Sequence, residues 1–314
     1  MYREFLTKCF SGPPYRCALL AVSRPLSLAL DRLHFLPYVI HSKIDNQKLV
    51  GDIYMEYKNL IFEVKEDSIG IVRFNRPDRL NAINKELLIE CIDLFEKVNR
   101  EDSVRVIVLT GSDGAFCAGG DINWLLASKE PIQKKEIMDY TNHMVLSMDK
   151  VKKPIIACVN GVAAGAGTSI VLGCDVIYAS ENAKFAPNFI HIAAVPDSGC
   201  SWFLPRKIGY HKAFELLLTG KILDAKEAYE MGIYNKIFPP DKLEQETMKL
   251  AKKLSYGPTY AMQAIKSMLK MSFKNDLSTQ LDIEAYYQIM ALSDSDFIEG
   301  VNAFFEKRKP NFKR

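Results

Sequence analysis

The chain is 314 residues long, 48% apolar and 25% charged, the composition of an ordinary globular protein of one large domain or two smaller ones. Its net charge of +3 comes from the first 54 residues, where seven Lys and Arg face four Asp and Glu; the rest carries 34 of each sign, which gives no bias towards nucleic acid or anionic lipid. No apolar run is long enough to span a bilayer, since "CALLAVSRPLSLAL" is broken at Arg24 and Pro25, and seven scattered cysteines without a C-x-x-C pair point to a reducing compartment and away from structural zinc.

Residues 1–54 hold four prolines by position 37 and no sustained period. Three readings of this leader stay open: an over-called start ahead of Met55, an organelle-targeting extension, or an extra arm. The expected compartment is the cytoplasm, or the mitochondrion if the leader is a transit peptide. From Met55, "MEYKNLIFEVKEDSIGIVRFN" gives two β-rich runs separated by "KEDS" and predicts a hairpin. "NKELLIECIDLFEKVNRE" then places Leu87, Leu88, Cys91, Ile92, Leu94, Phe95 and Val98 at helical spacing. "VRVIVLTG", "KKPIIACVNG" and "CDVIYAS" read as short buried strands, so strands alternate with helices up to about residue 180, an α/β pattern. Beyond Asp197 the pattern turns helical, through "HKAFELLLTG", "DAKEAYEMG", "PDKLEQETMKLAKKLS" and a tail from about Asp276 to Lys309.

Two of the strands end in glycine-containing turns, "VLTGSDGAFCAGGDI" and "ACVNGVAAGAGTSIV". Such turns let a ligand approach the main chain, and a helix starting there presents unpaired N–H donors. Neither is a phosphate loop, because no G-K-[ST] follows, and G-x-x-x-G-x-G is not the dinucleotide order. Close packing of helix on sheet accounts for the small residues as readily as an oxygen-binding role does.

These turns, with "FNRPDRLNAI" before them and "LTGKILDAKEAYEMGIYNKIFP" after, resemble the enoyl-CoA hydratase/isomerase (crotonase) family over about residues 57–314. The resemblance implies a crotonase-like α/β spiral of ββα units over residues 55–250 and a C-terminal helical region over 251–314 used to form trimers. It implies acyl-CoA thioesters as substrates, with coenzyme A entering as part of the substrate and no separate cofactor. A homotrimer or a dimer of trimers is the expected assembly. The family's shared device is an oxyanion hole of two backbone N–H groups that stabilises a thioester enolate. Carried over by position, the donors are Gly120 in "FCAGGD" and Ala166 in "AAGAGTS"; an alanine where glycine is more usual leaves the N–H in place. Arg79, Leu80 and Asp121 are implied to lie near the pantetheine and adenine. Phe304 and Lys307, in "AFFEKRKPNF", are implied to reach a neighbouring subunit's coenzyme A.

Hydratases of the family carry two glutamates, at positions that hold Ser169 and Phe189 here. A serine without a partner is no base near neutral pH and a phenylalanine cannot activate water, so these two are expected to wall the substrate pocket, not to hydrate. The remaining acid is Asp197 in "AAVPDSGCSWFLPR". Turn chemistry or helix capping would use an aspartate there too, yet the family's isomerases carry their working aspartate at this place. Apolar Phe189, Ile192 and Val195 are expected to desolvate it and raise its pKa. The implied activity is double-bond isomerisation of an acyl-CoA in fatty acid or phenylacetate metabolism, with Asp197 as proton shuttle. Two alternatives remain: a hydrolase or dehalogenase using Asp197 as nucleophile, with Asn142 in the slot of a helper histidine and His143 beside it, and a non-catalytic acyl-CoA-binding protein. Trp202, Tyr286 and Tyr287 read as core or pocket wall.

Overall fold

The computed structural model describes residues 57–312, so the leader, residues 1–54, lies outside the described residues. The strands are β1 (Leu60–Lys65), β2 (Ile69–Phe74), β3 (Val106–Gly111), β4 (Ala115–Cys117), β5 (Ile155–Val159), β6 (Val162–Ala164), β7 (Val176–Ser180), β8 (Lys184–Ala186), β9 (Leu223–Asp224) and β10 (Lys236–Phe238). The helices are α1 (Lys85–Arg100), α2 (Ile122–Ala127), α3 (Pro131–Lys150), α4 (Ala166–Gly173), α5 (Cys200–Ile208), α6 (Tyr210–Thr219), α7 (Ala225–Glu230), α8 (Pro240–Ser255), α9 (Thr259–Ser272), α10 (Leu277–Leu292) and α11 (Ser295–Phe305).

β1 and β2 form the expected antiparallel hairpin, from Leu60 opposite Phe74 to Lys65 opposite Ile69. β2, β3, β5, β7 and β10 continue in parallel, giving a sheet of order β1-β2-β3-β5-β7-β10. A smaller sheet of order β4-β6-β8-β9 is parallel except at its last pair. Each of the pairs β3–β4, β5–β6 and β7–β8 thus sends its first strand to the large sheet and its second to the small one before the chain enters a helix. That is the spiral of ββα units the resemblance implies.

The large sheet is covered on both faces, which is why its strands read as continuous apolar runs. Val72, Phe74, Ile107 and Leu109 join Leu87, Cys91, Leu94 and Phe95 of α1 in the main core. Ile71, Val106, Val108 and Ile156, the alternate positions, pack instead with Leu243 and Ala251 of α8. A fully buried side chain of this kind contributes roughly 1.5–3 kcal/mol. α1 begins where Asn84 accepts a hydrogen bond from Leu87 N at 3.0 Å, which caps its first turn.

The C-terminal helices are different. α9 buries Ala264 and α11 buries Ala303, while α10 buries none of its side chains. Leu269, Phe273, Leu277 and Leu281 face solvent in the single chain. So do Trp202 and Tyr286, at 44% and 63% exposure, which corrects their expected place in a core. Among the described residues no helix is long and apolar enough to cross a membrane.

Candidate active site

The two glycine turns meet because β4 and β6 pair in parallel, Ala115 with Val162 and Cys117 with Ala163, so their chains leave the small sheet side by side. Gly119 has φ 92°, and a Cβ there would stand 2.8 Å from Ala164 O and 3.4 Å from Ala166 N. No residue with a side chain fits that approach. Gly120 is bridged to Ile83, through Ile83 N to Gly119 O at 2.7 Å and Asp121 N to Ile83 O at 2.8 Å. The residue between those two bonds turns its own N–H to the opposite side. Ala166 is the first residue of α4, so its N–H has no acceptor inside the helix. Gly120 and Ala166 both line one cavity of about 290 Å³. The positive end of α4 adds to the attraction such a wall has for a negative oxygen.

Asp197 lines the same cavity. Its main chain is tied down twice, its carbonyl accepting from Cys200 N at 2.8 Å and from Ser169 Oγ at 3.0 Å. Ser169 follows Ala166 by one turn of α4, so a single helix both lines the cavity and holds the backbone of the acid. At 1% exposure Ser169 is buried behind the cavity and does not line it, which corrects its expected place in the substrate pocket. A serine is too short to reach where a longer side chain at that position would. Burial pushes the Asp197 carboxyl above its ordinary value, while the Ser198 hydroxyl and the residue's own N–H pull the other way without cancelling it. Phe189 and Ile192 contribute to the wall around it. Val195 does not: it is 77% exposed and points to solvent. Trp124, Ile137, Met138 and Thr141 complete the apolar end, and Asp197 is the sole ionisable side chain among the lining residues.

The other expected contacts lie outside this cavity. Arg79 and Leu80 sit on the exposed loop before α1, where Leu80 O accepts from Ala118 N at 3.0 Å and so braces the first glycine turn. Asp121 is committed to protein: its carboxylate accepts from Arg76 at 2.9 Å and from Asn123 N at 3.1 Å. Burial works against its ionisation, but the Arg76 guanidinium and the N–H groups of Asn123 and Trp124 outweigh it and hold the carboxyl below its ordinary value. Its side chain therefore stabilises the turn. Arg76, which also donates to Ala82 O, escaped sequence reading because its ion pair spans 45 residues. Phe304 is 78% exposed and lines a separate apolar groove with Tyr260, Phe297 and Phe305; Lys307 follows it beyond the end of α11. His143 points to Glu96 at 3.3 Å, Asn142 is exposed, and neither lines the cavity. The Cys117 thiol is buried and pushed up to about 12, in keeping with an inert residue.

The fold and this cavity define a ββα-spiral protein in which two glycine turns and one desolvated acid line a common space. The enoyl-CoA hydratase/isomerase family model matches residues 64–314, and the chain belongs to that family. It is 36% identical over 250 residues to 1,2-epoxyphenylacetyl-CoA isomerase of Escherichia coli (strain K12), covering 79% of this chain and 95% of that one. To crotonyl-CoA hydratase of Syntrophomonas wolfei it is 33% identical over 259 residues, covering 82% and 99%. The solved enoyl-CoA hydratase from Bacillus anthracis superposes with a TM-score of 0.79 at 30% identity, covering 82% of this chain and 99% of that one. Relatives thus include both isomerases and hydratases.

Proposed function

We propose that this enzyme is an acyl-CoA double-bond isomerase. The observation that carries the reading is that Asp197 is the sole ionisable side chain lining the cavity that Gly120 and Ala166 also line. One acid and one oxyanion hole suffice for a 1,3-proton transfer. Asp197 takes a proton from the carbon next to the thioester carbonyl, and the C–H electron pair moves into a dienolate whose oxygen accepts from the Gly120 and Ala166 N–H groups. The carboxyl then returns the proton at the far end of the conjugated system, which shifts the double bond and consumes no water. Coenzyme A enters as part of the substrate, and copies associate through the C-terminal helices as a homotrimer or a dimer of trimers.

Hydration would need a second group to activate water, and the positions available hold buried Ser169 and Phe189. Hydrolysis through an Asp197 ester would need a base, and His143 and Asn142 face elsewhere. A ring-bearing acyl group is the more specific reading, favoured by the 1,2-epoxyphenylacetyl-CoA isomerase relative and by the Trp124 and Phe189 walls. Asp197→Asn is expected to lower isomerisation of a 3-enoyl-CoA by roughly 10²–10⁴-fold while calorimetry still detects CoA-ester binding. Unchanged turnover would overturn the proposal. Tight binding by the wild type without turnover of any linear or ring-containing enoyl-CoA would favour the non-catalytic binder instead.

A further inference from the structure

Ser198 follows the acid directly and occupies an unfavourable place. It is 2% exposed and its φ is 51°, in the left-handed region that a Cβ disfavours. Gly199 beside it is also left-handed, at 82°, so the chain makes this reversal with one serine where a second glycine would be easier. What the serine supplies is its hydroxyl, which donates to Asp197 Oδ1 at 3.0 Å. Ser169 fixes the same residue through its carbonyl instead.

We infer that Ser198 is a positioning residue that selects which oxygen of Asp197 exchanges the proton. With a lone pair of Oδ1 engaged by the hydroxyl, proton exchange passes to Oδ2. When the acyl C–H bond breaks, an Oδ2–H bond forms, and the same oxygen gives the proton back to the dienolate, so atoms and charge balance within the carboxyl and the substrate. The hydrogen bond also favours the carboxylate over the acid and so keeps a desolvated group available as a base. The neighbouring ionisable group is the Cys200 thiol at the start of α5, which burial pushes up to about 11 and leaves neutral. No cation, histidine or second carboxylate is among the residues lining the cavity.

The activity arm of the test rests on the isomerase reading; the titration arm does not. Ser198→Gly removes the hydroxyl and suits the left-handed backbone, and Ser198→Ala removes it while keeping the Cβ. Infrared difference titration of the Asp197 carboxyl, with Asp197→Asn as the blank, is expected to show its midpoint at higher pH in both variants. The acidic limb of the kcat profile should move the same way, with kcat near neutral pH falling about tenfold and KM changing by less than about twofold. A midpoint and an acidic limb identical to wild type in Ser198→Gly would overturn the inference. If Asp197→Asn abolishes turnover while Ser198→Gly matches wild type, this inference alone fails. A shifted midpoint in a protein that isomerises no enoyl-CoA would show that the Ser198 hydroxyl holds the Asp197 carboxylate but would overturn both the isomerase reading and the proton-exchange role that rests on it.

Discussion

Under the proposed mechanism the chemistry at Ala166 belongs to the main chain, so the side chain can vary while the N–H cannot. Proline is tolerated at the first position of a helix because that N–H makes no helical bond. Ala166→Pro should therefore fold while deleting one oxyanion donor. The expected loss is about 10²–10³-fold in kcat, with a melting temperature close to wild type; retained turnover would mean the Ala166 N–H does not meet the reacting oxygen. Asp197 could be singled out in the sequence because it is an acid in a place where its family uses one. The residues that tune it could not all be found that way. Val195 read as a shield and points to solvent, whereas Ser198 lay inside a Pro-Asp-Ser-Gly string that reads as turn chemistry until its hydroxyl is seen on Oδ1.

Among the elements, strands buried on both faces announced themselves as apolar runs, two of them ending in glycine, and β3, β5 and β7 lie where those runs do. β4, β6 and β8 are three residues each, too short to show a period, so the small sheet that brings the turns together was not readable. α3 was missed for a related reason: its buried stripe includes Thr141 and Ser147, which blurs the apolar pattern. The first glycine turn is held by an equally silent contact, the Arg76–Asp121 pair, with side chains 15% and 11% exposed. The Asp121 carboxyl lies below its ordinary 3.8 when folded, so the ionised form stabilises the native state above that pH, and the contribution is lost as pH falls through the lowered value. Asp121→Asn should cost about 2 kcal/mol near neutral pH. The gap in melting temperature between variant and wild type should close below about pH 4; a gap constant from neutral to acid pH would show that the charge plays no part.

For the molecule as a whole, the unusual feature is how much apolar surface the C-terminal helices leave uncovered. On α9 and its C-cap, Ile265, Leu269 and Phe273 recur at four-residue spacing, which makes a stripe along one face, and all three are more than half exposed. Leu277 and Leu281 add to it at the start of α10, at 75% and 53% exposure. The assembly proposed above would cover a surface of this kind. Phe304 and Lys307 lie outside the chain's own cavity, on the tail that, in the proposed assembly, is expected to meet a neighbour. If the neighbour's tail completes the grip on the nucleotide end of the substrate, breaking the assembly should weaken binding more than chemistry. The double substitution Leu269→Glu with Leu281→Glu places charge on the stripe without touching the cavity. Light scattering should then show monomers, and KM for the CoA ester should rise about tenfold or more with kcat changed far less. A variant that dissociates yet keeps its KM would show that each chain holds its substrate alone.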